Sequence, residues 1–178
     1  MTRVQATLSL LAGLFWICSA AQPAPREPVS LEIKDIVNDI DSHLKAVKRS
    51  YTMLQTGTDR GGQLTIYRTR SDVVRIDAVI GGSNSDLKDV FYYSRANLVF
   101  IKTKTITYPY SSRPNGFDFA APHVKAAADY YVRDGRLIPA GHAKITASET
   151  SRLLQEAELF MDAARRRNQV IDIEKLLK

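Results

Sequence analysis

Two stretches of the chain nearly repeat, and this repeat constrains the fold more than any other feature of the sequence. YYSRANLVFI occupies residues 92–101, and YYVRDGRLIP occupies residues 130–139. Each stretch has two tyrosines, a candidate turn and a return to apolar residues. Alignment of Asn97 with Gly135 places both at turn positions, where a tight hairpin requires positive φ. The repeat therefore predicts hairpins in which neighbouring tyrosines point to opposite faces of a sheet.

Outside the irregular stretch from Pro109 to Pro122, the segment from Gly62 to Pro139 has the two-residue hydrophobic period of β-strands. Turn candidates at Ser71–Asp72, Ala96–Asn97 and Asp134–Gly135 divide it, and Asp-Gly is a strong hairpin signal. A fainter copy of the repeat over residues 67–74 adds a third hairpin. The segment therefore predicts a six-stranded antiparallel meander, with strands over residues 64–68, 73–80, 87–94, 98–108, 128–133 and 136–139.

Amphipathic helices are predicted on either side of this segment. From Ser30, apolar residues recur at three- and four-residue steps and predict a helix that ends near Gln55. Thr146 and Glu149 have the spacing of a capping box at the start of a second helix. Val170, Ile173, Leu176 and Leu177 suggest a further short amphipathic helix at the end of the chain.

Together these elements predict an α+β fold. An N-terminal amphipathic helix precedes a meander sheet of about six antiparallel strands, and a C-terminal helix packs on the sheet. We expect the concave face of the sheet to hold the N-terminal helix, with the C-terminal helix beside it.

The first 21 residues have the features of a secretory signal peptide. Arg3 precedes an apolar run that ends at Cys18, and small residues follow it. This run is shorter than the ~20 apolar residues of a membrane span, which favours cleavage after Ala20 or Ala21 over an uncleaved anchor. Bulky residues precede Cys18, whereas a lipid-modified cysteine usually follows a small one. We therefore predict a signal peptide over 1–21, a Pro-rich flexible lead over 22–29 and a single α+β domain over 30–178. The mature chain would be periplasmic or secreted, with no transmembrane span.

Charge adds a preference for anionic partners. The chain has 25 basic and 19 acidic residues, a net charge of +6, and loss of Arg3 with the signal peptide leaves +5. For an exported chain this favours lipid, lipopolysaccharide or an acidic envelope protein over nucleic acid. Arg165, Arg166 and Arg167 form a candidate contact with such an anionic surface. The alternative is a solvated helix end, where cations are favoured by the helix dipole.

No motif for a metal site, an activated nucleophile or a phosphate loop is found in the sequence. The residues His43, His123 and His142 lack metal-ligating spacing, and no cofactor is predicted. The longest irregular segment, from Pro109 to Pro122, is the first candidate contact surface because long loops are often functional. Its candidate contact residues are Tyr110, Arg113, Phe117 and Phe119, although packing onto the body is the favoured role of the two phenylalanines.

The second repeat also resembles a known hairpin family. Tyr130–Tyr131 with Gly135 and Leu137 is similar to the YYxNGxL core of MORN-type repeats, although the usual glycine–aromatic lead is missing. With Gly61–Gly62, Leu64 and Tyr67, the layout resembles a loose group of small exported bacterial proteins of unknown function. The resemblance implies a fold type and an exported location.

Three functional hypotheses follow from these observations. The first is a non-enzymatic exported binding protein for an amphipathic ligand or an envelope partner. The second is an inhibitor or assembly factor of a cell-envelope enzyme. The third is a hydrolase with a dispersed site that uses His123 or Asp118.

Overall fold

The computed structural model describes residues 29–112 and 116–174, and these form two helices and eight strands. The predicted signal peptide and most of the Pro-rich lead lie outside the described residues. In chain order the elements are α1 Val29–His43, β1 Lys48–Gln55, β2 Gly62–Arg68, β3 Val73–Gly81, β4 Ser85–Ser94, β5 Asn97–Thr107, β6 His123–Arg133, β7 Arg136–Pro139, α2 Ala147–Arg166 and β8 Val170–Asp172.

All eight strands belong to one sheet with the order β7-β6-β5-β4-β3-β2-β1-β8. Strands β1 to β7 form an antiparallel meander, in which each strand pairs with the next one along the chain. The predicted α+β class and all six predicted strands are confirmed. The sheet is larger than predicted, because β1 and β8 extend it at one edge, and it is mixed, because β8 pairs parallel to β1.

The two helices lie on opposite faces of the sheet, which corrects the expectation that they pack side by side. Leu153 and Phe160 of α2 share a buried cluster with Phe91 and Tyr93 of β4. Tyr92 lies between those two strand residues and belongs to a second cluster, which contains Ile33 and Val37 of α1. Successive residues of a strand point to opposite faces, so α2 covers one face and α1 covers the other.

Polar contacts of Asp41 hold the end of α1 against the sheet. Arg75 of β3 donates from Nη1 to Asp41 Oδ1 at 2.8 Å, and Tyr92 Oη donates to Asp41 Oδ2 at 3.2 Å. The Arg75 guanidinium also stacks on the rings of Tyr67 and Tyr92, at 5.4 and 5.3 Å from their centroids. Asp77 and Asp41 stabilise the charged form of Arg75 and raise its pKa, although burial acts in the opposite direction.

The predicted first helix is too long. The structure ends α1 at His43, and residues 48–55 form β1. Along β1, Thr52 and Leu54 are buried whereas Tyr51 and Met53 are exposed, which is the alternation of a strand. Over residues 48–55, the spacing of the apolar residues fits both a helical period and a strand period. Pairing with β2 makes this segment a strand.

The predicted helix at the end of the chain is also wrong where the structure describes it. Val170–Asp172 forms β8, and Met53 of β1 pairs with Val170. Leu176 and Leu177 lie outside the described residues. The physical reason is the open edge of β1: an unpaired strand edge exposes backbone donors and acceptors, and β8 satisfies part of that edge.

The hairpins confirm opposite-facing tyrosines but shift the predicted alignment by one residue. The first turn has positive φ at Arg95 (50°) and Ala96 (65°), and Asn97 already pairs with Ser94. The second turn has positive φ at Asp134 and Gly135, which is where the sequence predicts the turn. The register of β4 on β5 places Tyr92 opposite Phe100, with their ring centroids 5.9 Å apart. Packing of this aromatic pair therefore favours a turn at Arg95–Ala96, although Asn97 would adopt positive φ more readily than Ala96.

We expect opposite effects from two substitutions at these turns. Ala96→Gly should raise the free energy of unfolding by about 1 kcal/mol, because glycine adopts positive φ without the clash that alanine suffers. Gly135→Ala should lower it by a similar amount; its φ is 71°, and an added Cβ would meet no atom within 4 Å. Urea denaturation measures both changes. A loss of stability in Ala96→Gly would contradict the assigned turn.

Candidate functional site

The predicted contact loop carries exposed aromatic side chains, but its aromatic residues form two separate pairs. Tyr110 is 81% exposed and forms an isolated bridge with Phe117, with their rings in edge contact at 6.0 Å. Phe119 packs on Tyr108 at 4.9 Å and on the Arg60 guanidinium at 4.5 Å. Phe119 therefore packs partly onto the body of the protein, as its favoured role predicts. Arg113 lies outside the described residues.

The three arginines at the end of α2 have different surroundings. Arg166 donates to Asp162 at 3.0 Å on the same helix. Arg165 is exposed, and Arg167 lines a cleft beyond the helix. Of the three, Arg167 is therefore the one with access to an enclosed ligand.

The histidines are on separate elements. His43 ends α1 beside Asp39, His123 begins β6, and His142 lies in the loop before α2. No described carboxylate lies within ion-pair distance of His123. Asp118 accepts a hydrogen bond from the Ala120 backbone N–H at 3.1 Å.

A cleft lies beyond the C-terminal end of α2, over the ends of β1 and β2. Its volume is about 670 Å³, within the range of roughly 300–1,000 Å³ that small-molecule sites occupy. Ser50 and Ile66 form a directly opposed pair in its floor. Apolar side chains and basic side chains share the lining: Ala46, Val47, Tyr51 and Ile66 with Lys48, Arg68, Arg70 and Arg167.

The charge of this cleft is positive and largely uncompensated. Among the described residues, no aspartate or glutamate lines it. Arg68 donates a hydrogen bond to the Ala164 carbonyl at the end of α2, so one of its donors already stabilises the fold. Lys48, Arg70 and Arg167 make no side-chain hydrogen bond or ion pair with any described residue. Three cations therefore remain available to an anion.

Two of the cations repel each other. Burial lowers the pKa of Arg68, and the nearby positive charge of Arg167 lowers it further. Like charges held together in a partly desolvated cleft destabilise each other, and an anion between them would relieve that repulsion. The electrostatics of the cleft are therefore complementary to a negatively charged group.

Arg167 has a strained backbone. It follows the last turn of α2 with φ 57° and ψ 40°, and its N–H caps the carbonyls of Ala163 and Ala164. Helices commonly place glycine in this left-handed conformation, because other residues adopt it at a cost of about 1 kcal/mol. An arginine therefore occupies a position where glycine would be less strained, and this arginine lines the cleft.

A second polar cluster is buried between α2 and the sheet. Arg152 donates to Asp89 at 2.9 Å and to both carboxylate oxygens of Glu156 at 2.8 Å. Glu156 is 0% exposed and Asp89 is 1% exposed. Burial raises the pKa of both carboxyl groups, Glu156 to about 7, although Arg152 acts in the opposite direction. Neither carboxyl group reaches solvent, so their ion pairs with Arg152 hold α2 on the sheet.

The sequence predicted part of these sites and missed the rest. Arg167 was a candidate, whereas Lys48, Arg68 and Arg70 were not, because only the pairing of β1 with β2 places Lys48 opposite Arg68. A signal for the buried cluster was present in the sequence. Asp89 lies between Leu87 and Phe91 on the same face of β4, and Glu156 lies among the apolar positions of α2.

Within residues 29–112 and 116–174, no group of three or more histidine, cysteine, aspartate or glutamate side chains could hold a metal ion. In the same part of the chain, no helix has the length and apolar character that crossing a membrane demands.

Comparisons with known proteins add no family assignment. No protein-family model matches the sequence, and no curated protein or solved structure matches it significantly. The resemblance to MORN-type hairpins therefore stays a prediction, and functional inference depends on the geometry of the sites.

The buried cluster predicts a pH dependence of stability. The pKa of Glu156, about 7 in the folded protein, exceeds the ordinary value of 4.5, so the folded state binds this proton more tightly than the unfolded state. The contribution of this proton to the free energy of unfolding is complete below about pH 4.5. It is lost as the pH rises through 7, at roughly 1 kcal/mol per pH unit. Urea denaturation of Glu156→Gln between pH 5 and 7 should show a flatter profile than wild type. The exposed Glu158→Gln should keep the wild-type slope, and a wild-type slope in Glu156→Gln would contradict a protonated Glu156.

Proposed function

We propose that this chain is an exported, non-enzymatic binding protein for an amphipathic anion. The cleft beyond α2 receives the ligand. The anionic group lies among Arg68, Arg70 and Arg167, and the apolar part lies against Val47 and Ile66. Export remains part of the proposal on the strength of the N-terminal sequence features.

The observation that carries this proposal is the composition of the cleft lining. Four cations share the cleft with apolar side chains, and no described carboxylate lines it. A solvated helix end alone would explain a cation near the carbonyls of α2. It would not explain Lys48 and Arg70, which come from β1 and from the turn after β2.

The strain at Arg167 supports the same function. Arginine at positive φ lowers the stability of the fold, whereas it adds a fork of donors suited to carboxylate or phosphate. Stability and binding therefore favour different residues at this position, which gives a direct test.

Arg167→Gly should weaken binding and stabilise the fold at the same time. Isothermal titration calorimetry with dodecyl phosphate, below its micelle-forming concentration, should show roughly tenfold weaker binding, because a charged hydrogen bond contributes about 1.5–3 kcal/mol. Thermal denaturation should show a higher Tm, because glycine removes the strain. Dodecylphosphocholine, whose headgroup has no net charge, should bind more weakly than dodecyl phosphate to the wild-type protein.

Two further variants control this test. Arg70→Glu should also lose affinity for dodecyl phosphate, since the Arg70 side chain makes no hydrogen bond or ion pair with a described residue. Arg136→Glu makes the same change in charge on β7, outside the cleft lining, and should bind as wild type does. If Arg167→Gly is more stable and binds with unchanged affinity, the cleft is not the binding site.

A further inference from the structure

A pair of lysines lies directly opposed on the α1 face of the sheet. Lys88 of β4 pairs with Lys104 of β5 in the antiparallel register. Lys88 is four residues before Tyr92, so it points to the same face as that tyrosine. Neither lysine has an ion pair or hydrogen bond with any described residue. Like charges directly opposite each other destabilise a sheet, so the pair has a cost that the fold itself does not require.

Apolar side chains continue this row across the sheet. The register places Val170, Met53, Gln63, Val79 and Lys88 side by side across β8, β1, β2, β3 and β4. Met53, Val79 and Val170 are large apolar side chains that stay exposed. The buried cluster under α1 contains Tyr92 and Phe100 and does not reach this row. We call the surface of Met53, Val79, Lys88, Lys104 and Val170 the lysine face.

The predicted contact loop, which carries Tyr110, Phe117 and Phe119 and is called the aromatic loop below, borders the lysine face at Phe119. Asp86 is two residues before Lys88 in β4 and therefore points to the same side. Tyr108 donates to Asp86 at 2.5 Å, and Phe119 packs on Tyr108. Phe119, which is 41% exposed, is thus linked through Tyr108 to the strand that carries Lys88.

We propose that the lysine face docks on an anionic lipid bilayer. The unpaired lysines are complementary to acidic headgroups, and the exposed apolar and aromatic side chains suit the interfacial region, where aromatic residues concentrate. A second copy of the chain fits poorly, because the same face on two copies would bring four lysines together. The proposal does not depend on the cleft, since Ile66 in the cleft floor belongs to the core on the α2 face.

Vesicle sedimentation tests this docking. Wild-type protein should sediment with vesicles of equal parts phosphatidylglycerol and phosphatidylcholine, and not with phosphatidylcholine alone. Lys88→Ala/Lys104→Ala should bind the acidic vesicles roughly 30-fold more weakly. The matched control, Lys45→Ala/Lys144→Ala, removes two exposed lysines outside the lysine face and should bind as wild type does. Wild-type protein that stays in solution with acidic vesicles would overturn the proposal in favour of an acidic protein partner.

A single variant separates docking from folding. Lys88→Glu places a carboxylate opposite Lys104, so it should raise the Tm while it abolishes vesicle binding. Its change in net charge equals that of each double variant. Retained binding in Lys88→Glu would show that this surface does not attract the protein to the vesicle. An equal loss of binding in Lys45→Ala/Lys144→Ala would show that net charge, and not this surface, does.

Discussion

The structure depends on the burial of β4 on both faces. Phe91 and Tyr93 point to one side and Tyr92 points to the other, and all three side chains are at most 3% exposed. Tyr93 Oη donates to the Ala157 carbonyl of α2 at 3.0 Å, whereas Tyr92 Oη donates to Asp41 of α1. A strand with large side chains on both sides needs a cover on each side. The two helices therefore pack on opposite faces, and neither helix can leave without exposing an aromatic residue.

The same constraint determines where ligand sites can form. Each face of the eight-stranded sheet has one described helix, and each helix leaves part of its face uncovered. On the α2 side, the uncovered part is the cationic cleft over β1 and β2. On the α1 side, it is the lysine face. Both uncovered areas carry cations without described acidic partners, so both are complementary in charge to an anionic ligand.

The sequence predicted the elements whose signals are local. Two-residue periodicity and the Asp134–Gly135 turn identified the hairpins, and Thr146 accepts the predicted capping hydrogen bond from the Glu149 N–H at 3.1 Å. It failed where long-range pairing decides. Residues 48–55 fit a helical and a strand period equally well, and only pairing with β2 and β8 makes them a strand. The cleft was missed for the same reason, since its cations come from β1, from the end of β2 and from the end of α2.

The central claim is that the cleft beyond α2, and not the aromatic loop, receives an amphipathic anion. Amide chemical shifts of isotopically labelled wild-type protein, followed by NMR during titration with dodecyl phosphate, test it most directly. The predicted result is a set of saturable shifts at Ser50, Arg68 and Asn168, with the amides of residues 116–122 unchanged. Shifts confined to the loop, with none at the cleft, would contradict the account.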